Sequence, residues 1–179
     1  MLVLRPADSQ EATVSWKLAM ENTHTPTGLI LSRQNITNLP VLGNDPFKQA
    51  LKSEKGGYVV KCDGKPDVIL LASGSEVATL VEGAMLLRKD GIKVRIVSIP
   101  SEGLFRSQTK KYQDSVLLPG IKTFGLTAGL PVTLAGLVGE NGSVWGLESF
   151  GFSAPYKVLD EKLGFTGKNV YKQVKKLLK

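Results

Sequence analysis

The stretch PDVILLASGSEVATLVEGAMLLRKDG, residues 66 to 91, decides the fold because it contains a strand, a turn and a helix in succession. The apolar run from Asp67 to Ala72 is too short for a typical helix and lacks polar alternation, which is typical of a strand buried on both faces of a parallel sheet. Ser73 and Glu76 have the spacing of a capping box, so a helix is expected to begin at Ser73. The stretch therefore predicts the centre of an α/β domain.

The predicted helix has one apolar face and a defined end. The apolar residues that recur at helical spacing are Val77, Leu80, Val81, Ala84 and Leu87. Gly74 permits the tight turn after the strand, and Gly91 provides a C-terminal stop. We expect the apolar face to pack on the sheet.

The neighbouring segments extend the sheet to about five strands. The other predicted strands are Tyr58 to Lys61, Lys93 to Ile99, Thr123 to Thr127 and Ser143 to Leu147. A helix separates the strand at Lys93 from the one at Asp67, so these two are expected to be parallel with a right-handed crossover. Only the turn from Cys62 to Pro66 precedes the strand at Asp67, so this strand and the one at Tyr58 should form an antiparallel hairpin if they pair. Further helices are predicted over residues 101–108, 111–118, 131–139, 155–163 and 167–178.

The beginning of the chain predicts a separate unit. Residues 1–36 read as a strand at Leu2, a helix capped by Asp8 or Ser9, and a strand from Gly28 to Leu31. A βαβ unit this small cannot bury two sheet faces alone, so it is expected to be the last piece of a larger domain. Residues 37–56 have two prolines, two glycines and no sustained period, which predicts an interdomain connector, and residues 57–179 then form the second domain.

Composition excludes several classes of protein. The chain has 179 residues, 42% of them hydrophobic and 22% charged, as in an ordinary globular protein. It has no apolar run long enough to span a membrane and no secretory signal at its start, so no membrane partner and a cytoplasmic location are expected. Cys62 is the only cysteine, which excludes an internal disulfide and a thiolate metal cluster and predicts a structural or surface thiol.

The net charge of +7 raises the possibility of nucleic-acid binding. The C-terminal lysines that carry much of it are Lys168, Lys172, Lys175, Lys176 and Lys179. They alternate with apolar residues at the spacing of an amphipathic helix, which favours a solvated helix face. No nucleic-acid partner is therefore predicted.

Three places in the sequence are candidates for a functional site. His24, the only histidine, lies in a predicted loop without an obvious orienting partner and reads as a solvated surface residue. The turn from Ser73 to Glu76 resembles an anion-binding turn but lacks both glycine fingerprints, and Glu76 repels anions, so a structural turn is favoured over an anion or nucleotide site. Arg33 lies where the strand at Gly28 ends, a position that suits a phosphate ligand, although an interdomain salt bridge or a surface arginine is an equal alternative.

Five motifs together resemble the end of a transketolase. They are LRPADSQEA at 4–12, LSRQN at 31–35, LLASGSEV at 70–77, VRIVSIPS at 94–101 and FGFSAPYKVLDEKLGFT at 150–166. The resemblance spans nearly the whole chain. It implies that residues 1–36 end the pyrimidine-binding domain and that 57–179 form the C-terminal domain, an α/β three-layer fold. Its mixed, mostly parallel five-stranded sheet, four strands parallel and one antiparallel, is flanked by helices.

The resemblance also implies an activity. Transketolases of the pentose phosphate pathway, in carbohydrate metabolism, transfer a two-carbon ketol unit between sugar phosphates. They use thiamine diphosphate and a divalent cation, magnesium or calcium, in a site shared across a homodimer. Arg33 matches the arginine that binds the sugar phosphate at the mouth of the substrate channel. The resemblance places the catalytic, cofactor-binding and metal-binding residues upstream of Met1, so none is assigned here and the chain alone is expected to be inactive.

Two segments depart from the family pattern. Thr37 and Asn38 lengthen the loop after SRQN, and LPVTLAGLVG at 130–139 replaces an aromatic, charged segment. An alternative function is that of an interaction or regulatory module docking on a separate thiamine-dependent catalytic subunit. Because Met1 falls inside a βαβ unit, a fragment of a longer chain is the preferred interpretation.

Overall fold

A computed structural model describes residues 1–179 and contains a two-stranded and a five-stranded sheet. The strands are β1 (Leu2–Leu4), β2 (Thr27–Leu29), β3 (Tyr58–Cys62), β4 (Val68–Ala72), β5 (Val94–Ser98), β6 (Thr123–Leu126) and β7 (Ser143–Trp145). The helices are α1 (Ser9–Glu21), α2 (Pro46–Ala50), α3 (Glu76–Lys89), α4 (Glu102–Arg106), α5 (Lys110–Val116), α6 (Val132–Val138), α7 (Tyr156–Leu163) and α8 (Gly167–Leu178), with a 3-10 helix at Leu51–Lys55. None of these helices has both the length and the apolar character needed to cross a membrane.

The larger sheet has the strand order β3-β5-β4-β6-β7. Strands β5, β4, β6 and β7 are parallel, and β3 is antiparallel to β5. The expected mixed sheet with four parallel strands and one antiparallel strand is therefore confirmed.

Helices cover both faces of this sheet because β4 is apolar on both faces. Its residues Val68, Leu70 and Ala72 pack in one core with α3 and α8, while Ile69 and Leu71 pack in another with α4, α5 and α6. All five side chains are fully buried. The three layers and the strand predicted at Asp67 to Ala72 are thus confirmed.

The start of α3 differs from the prediction. The helix begins at Glu76, and neither Ser73 nor Ser75 caps it with a side chain. The Glu76 carboxylate instead pairs with the Arg5 guanidinium, while the Ser73 hydroxyl donates to the Arg5 carbonyl at 3.4 Å. The predicted capping box was wrong because a distant charged partner outcompetes the local backbone contact. The apolar face of the helix is confirmed, since it lies in the core.

The hairpin between β3 and β4 does not form, because β5 lies between them, although the two strands run antiparallel as expected. The turn after β3 crosses the start of β5 and bonds to it. The Asp63 N–H donates to the Val94 carbonyl at 3.1 Å, and the Asp67 N–H donates to the Lys93 carbonyl at 2.8 Å. The Asp67 carboxylate accepts in return from the Lys93 N–H at 2.8 Å. These hydrogen bonds satisfy polar backbone groups of the turn although β3 and β4 do not pair. Strand β3 is the antiparallel edge strand of the sheet.

The beginning of the chain forms the predicted strand, helix and strand. Strands β1 and β2 pair in parallel, and the Asp8 side chain caps α1. The segment at 37–56 contains α2 and the 3-10 helix, neither of which the sequence predicted. The Arg5 N–H donates to the Pro100 carbonyl at 2.7 Å, which joins this N-terminal unit to the carboxyl edge of the large sheet.

Candidate functional site

Arg33 lies in a loop that follows β2, and we name residues 30 to 39 the Arg33 loop. Its side chain is exposed and forms no ion pair with an Asp or Glu and no hydrogen bond within the chain. The salt bridge considered as an alternative therefore does not form in this structure. A guanidinium without an internal partner keeps all its N–H groups available for an external anion.

A local turn and three contacts shape the Arg33 loop. The Ser32 hydroxyl accepts from the Gln34 N–H at 3.2 Å, which closes a turn around Arg33. At the beginning of the loop, the Ile30 N–H donates to the Leu4 carbonyl of β1 at 2.9 Å. At its end, the Asp8 carboxylate accepts from the Leu39 N–H at 2.9 Å, and the Ser9 hydroxyl donates to the Asn38 side chain at 2.9 Å.

A buried polar cluster lies beneath the start of α1. The Glu11 side chain is fully buried, and its carboxylate accepts from the Ala7 N–H at 2.8 Å and from the Tyr58 hydroxyl at 2.9 Å. Burial raises the pKa of the Glu11 carboxyl to about 7. Burial, followed by the nearby Glu11 carboxylate, also raises the pKa of the Tyr58 hydroxyl. Because Tyr58 belongs to β3, this cluster connects the N-terminal unit to the large sheet.

The turn between β4 and α3 is filled by protein groups. Gly74 has a φ of +64°, and a Cβ atom there would lie 2.9 Å from the Arg5 side chain. Arg5 also donates to the Ser73 carbonyl at 2.7 Å and pairs with Glu76. Arg5 thus packs against Gly74 and bonds to groups at both ends of the turn.

A cleft of about 890 Å³ separates the N-terminal unit from the carboxyl edge of the large sheet. Leu2 and Leu18 line it on one side, and Pro100, Ser101 and Thr127 line it on the other. Neither Arg33 nor His24 lies among its lining residues, and His24 is exposed in the loop between α1 and β2. His24 and Arg33 are therefore not brought together in this cleft.

The other residues considered from the sequence are Cys62, the C-terminal lysines and possible metal ligands. Cys62 is half-buried, with its Sγ 3.2 Å from the Gly64 carbonyl oxygen. On α8, Val170 and Val174 are buried while Lys168, Lys172 and Lys176 are exposed, which confirms the predicted amphipathic helix. No three His, Cys, Asp or Glu side chains lie together as possible metal ligands. The side chains of this chain thus do not fit a divalent cation that would hold a diphosphate.

Sequence reasoning missed two residues of this region. Asp8 was predicted only as a helix cap, and its second contact, with Leu39, was not foreseen. Glu11 was read only as part of the α1 helix. An acidic residue in the first turn of a helix is already explained by the helix dipole, so neither position carries a local signal for a distant partner.

Comparison with known proteins finds similarity to transketolases. Residues 56–166 match the family model described as "Transketolase-like TK C-terminal domain". The transketolase of Staphylococcus epidermidis strain ATCC 12228 is 41% identical in an alignment of 181 positions that covers 99% of this chain and 27% of that protein.

Solved structures show the same similarity. The transketolase of Pichia stipitis in complex with sedoheptulose-7-phosphate matches 99% of this chain and 25% of its own length, with 32% identity and a TM-score of 0.86. A split-gene transketolase described as an inactive beta4 tetramer is 22% identical with a TM-score of 0.75, which supports the fold alone. The chain spans about a quarter of the length of the full transketolases that it matches.

Proposed function

The chain belongs to the transketolase family, and on that basis we propose that it is the C-terminal part of an enzyme that transfers a two-carbon ketol unit between sugar phosphates. In this proposal residues 57–179 are the C-terminal domain, residues 1–36 end the pyrimidine-binding domain and residues 37–56 connect them. The intact enzyme would be a cytoplasmic homodimer that uses thiamine diphosphate and a divalent cation. Since this chain offers no fitting ligand set, the cofactor is assigned to other parts of that enzyme.

Arg33 is the residue of this chain to which we assign substrate binding. The observation that carries the assignment is its exposed guanidinium, which has no internal partner and lies on a loop beyond the carboxyl end of β2. A planar guanidinium binds two phosphate oxygens through parallel charge-assisted hydrogen bonds. A related transketolase has been solved with a sugar phosphate, which is the class of ligand that this arrangement suits.

The role proposed for Arg33 is binding and orientation of the substrate, away from the bond that breaks. Arg33→Ala in the full-length enzyme should therefore raise KM for a ketose phosphate, with a loss of about 2 kcal/mol in transition-state stabilisation, as for a lost charge-assisted hydrogen bond. The measurement is kcat/KM for a ketose phosphate and for the same ketose without phosphate. The unphosphorylated sugar should be nearly unaffected.

Two control variants make this comparison specific. Arg33→Lys keeps the charge but removes the bidentate geometry, so it should recover only part of the loss. Arg106→Ala removes another exposed arginine, one that pairs with Glu102 on α4, and should change neither substrate. An equal loss of kcat/KM for both sugars in Arg33→Ala would contradict the phosphate-binding role.

A further inference from the structure

We propose that Asp8 is a positioning residue for Arg33, a role that rests on the phosphate-binding function proposed for Arg33. Asp8 lies at the start of α1, with 8% of its surface exposed, and its two carboxylate oxygens bind two different segments. Oδ1 accepts from the Glu11 N–H at 2.8 Å and caps α1. Oδ2 accepts from the Leu39 N–H at 2.9 Å and holds the end of the Arg33 loop. One carboxylate thus joins the loop to the helix.

The Arg33 loop has few other attachments. No backbone group from Leu31 to Asn38 forms a backbone hydrogen bond with the rest of the chain. The beginning of the loop is fixed by the bond from Ile30 to β1, so the contact with Asp8 is one of only two backbone anchors. The side chain of Leu39, which is 7% exposed, packs in the core and keeps its N–H facing Asp8. A loop fixed at both ends samples fewer conformations than one fixed at a single end.

Asp8 is itself held in place by the buried cluster. The positive end of the α1 dipole and the free N–H groups of its first turn stabilise the Asp8 carboxylate. One turn further, Glu11 bonds to Tyr58 of β3, which fixes the start of α1 on the large sheet. The chain of contacts from β3 through Glu11 and Asp8 to Leu39 therefore positions the Arg33 loop relative to the core. A loop ordered before binding loses less entropy when Arg33 binds a phosphate.

Asp8→Ser separates the two contacts of Asp8. Serine is also a favoured N-cap residue, so its single oxygen can accept from the Glu11 N–H and keep α1 capped. It has no second oxygen for the Leu39 N–H. The matched control is Asp45→Ser, because Asp45 caps α2 by accepting from the Lys48 N–H at 3.0 Å and does not contact the Arg33 loop. Asp8→Asn is a second variant, since its one amide oxygen can satisfy only one of the two N–H groups.

The first measurement tests the anchor without reference to activity. Trypsin cleaves after Arg33 only when the loop opens, so limited proteolysis of the 179-residue chain, followed by mass spectrometry, reports on its order. Cleavage after Arg33 should be about fivefold faster in Asp8→Ser, the change expected from one lost hydrogen bond, and unchanged in Asp45→Ser. Circular dichroism verifies that both variants fold. Unchanged cleavage after Arg33 in folded Asp8→Ser and Asp8→Asn would overturn the proposal.

The second measurement tests the consequence for substrate binding. In the full-length enzyme, Asp8→Ser should raise KM for a ketose phosphate severalfold, leave KM for the unphosphorylated ketose unchanged, and have no further effect when Arg33 is already alanine. The positioning role would be overturned if Asp8→Ser raised KM equally for both sugars while Arg33→Ala still affected only the ketose phosphate. If Arg33→Ala affects both sugars equally, the phosphate-binding function is wrong, and the positioning role is wrong with it. The proteolysis result would still show whether Asp8 anchors the Arg33 loop.

Discussion

Glu11 shows how one buried carboxyl group depends on the fold around it. Its carboxylate has two hydrogen-bond donors, the Ala7 N–H and the Tyr58 hydroxyl, yet burial still raises its pKa to about 7. Desolvation of the charge is therefore the larger effect. The folded protein binds the proton of Glu11 more tightly than the unfolded chain, where the pKa is close to 4.5.

This difference predicts a pH dependence of stability with a definite sign. The stabilisation from the bound proton is complete below about pH 4.5 and is lost as the pH rises to about 7. Glu11→Gln keeps the size, and its amide can accept from Ala7 and donate to Tyr58. The free energy of unfolding of this variant should exceed that of the wild type at pH 8, by at most about 3 kcal/mol, and the difference should shrink towards pH 5.

Urea unfolding at pH 5 and pH 8 measures this difference. The control is Glu140→Gln, because Glu140 is exposed and has no hydrogen-bond or ion-pair partner within the chain. Its effect on stability should be small at both values of pH. A Glu11→Gln effect that does not change between pH 5 and pH 8 would show that Glu11 is ionised at the same pH in the folded and unfolded states.

Helices α3 and α8 approach each other closely at Gly83. A Cβ atom at Gly83 would overlap the Val170 side chain, approaching Val170 Cβ to 2.7 Å. Both residues are buried, and the neighbouring Gly167 carbonyl also faces this position. Only glycine at this point of α3 lets α8 approach.

Gly83→Ala should therefore destabilise the protein although alanine is the better helix former. Overpacking of this kind costs about 1 to 3 kcal/mol. Gly103→Ala in α4 is the matched control, because no atom lies within 4 Å of a Cβ there, and it should stabilise by about 0.5 to 1 kcal/mol. Thermal unfolding of both variants gives the comparison. Stabilisation of the protein by Gly83→Ala would mean that α8 can move away without cost.

The elements that the sequence predicted well are those with local causes. The apolar run of β4 and the helical spacing in α3 are readable within a few residues, so strand, helix and burial were all predicted. The capping box and the hairpin failed because the groups that decide them are distant: Glu76 pairs with Arg5, 71 residues away, and Asp67 bonds to Lys93, 26 residues away. At the site, the position of Arg33 after a strand was predictable, whereas the bond from Asp8 to Leu39 was not.

For the whole molecule, the N-terminal unit leaves several large apolar side chains exposed, three of which, Met1, Val3 and Ile30, line the cleft that faces the large sheet. Its exposed large apolar side chains are Met1, Val3, Trp16, Met20, Ile30 and Leu31. Large apolar side chains that gather on a protein surface mark sites of contact with other protein. We expect further parts of the intact enzyme to cover this surface, in agreement with the proposal that the chain is one part of a transketolase.

The same proposal predicts that this chain alone neither binds thiamine diphosphate nor transfers ketol units. Isothermal titration calorimetry with thiamine diphosphate and magnesium should show no saturable binding tighter than roughly 100 μM, which corresponds to about 5.5 kcal/mol. The full-length enzyme is the positive control under the same conditions. Tighter binding by the isolated chain would mean that its own side chains form a cofactor site, and would contradict their assignment to other segments.

The pairing of β3 with β5 sets an order of events during synthesis of the chain. Strand β3 leaves the ribosome before β4 and α3, but its hydrogen-bonding partner is complete only at Ser98. Until then β3 is an unpaired strand with a free edge, the kind of segment that chaperones bind and that promotes aggregation. Strand β3 must therefore remain unpaired while β4, α3 and β5 form a right-handed βαβ unit. Ribosome-bound chains that end before residue 98 should therefore remain open to proteases at β3, and longer ones should become protected there.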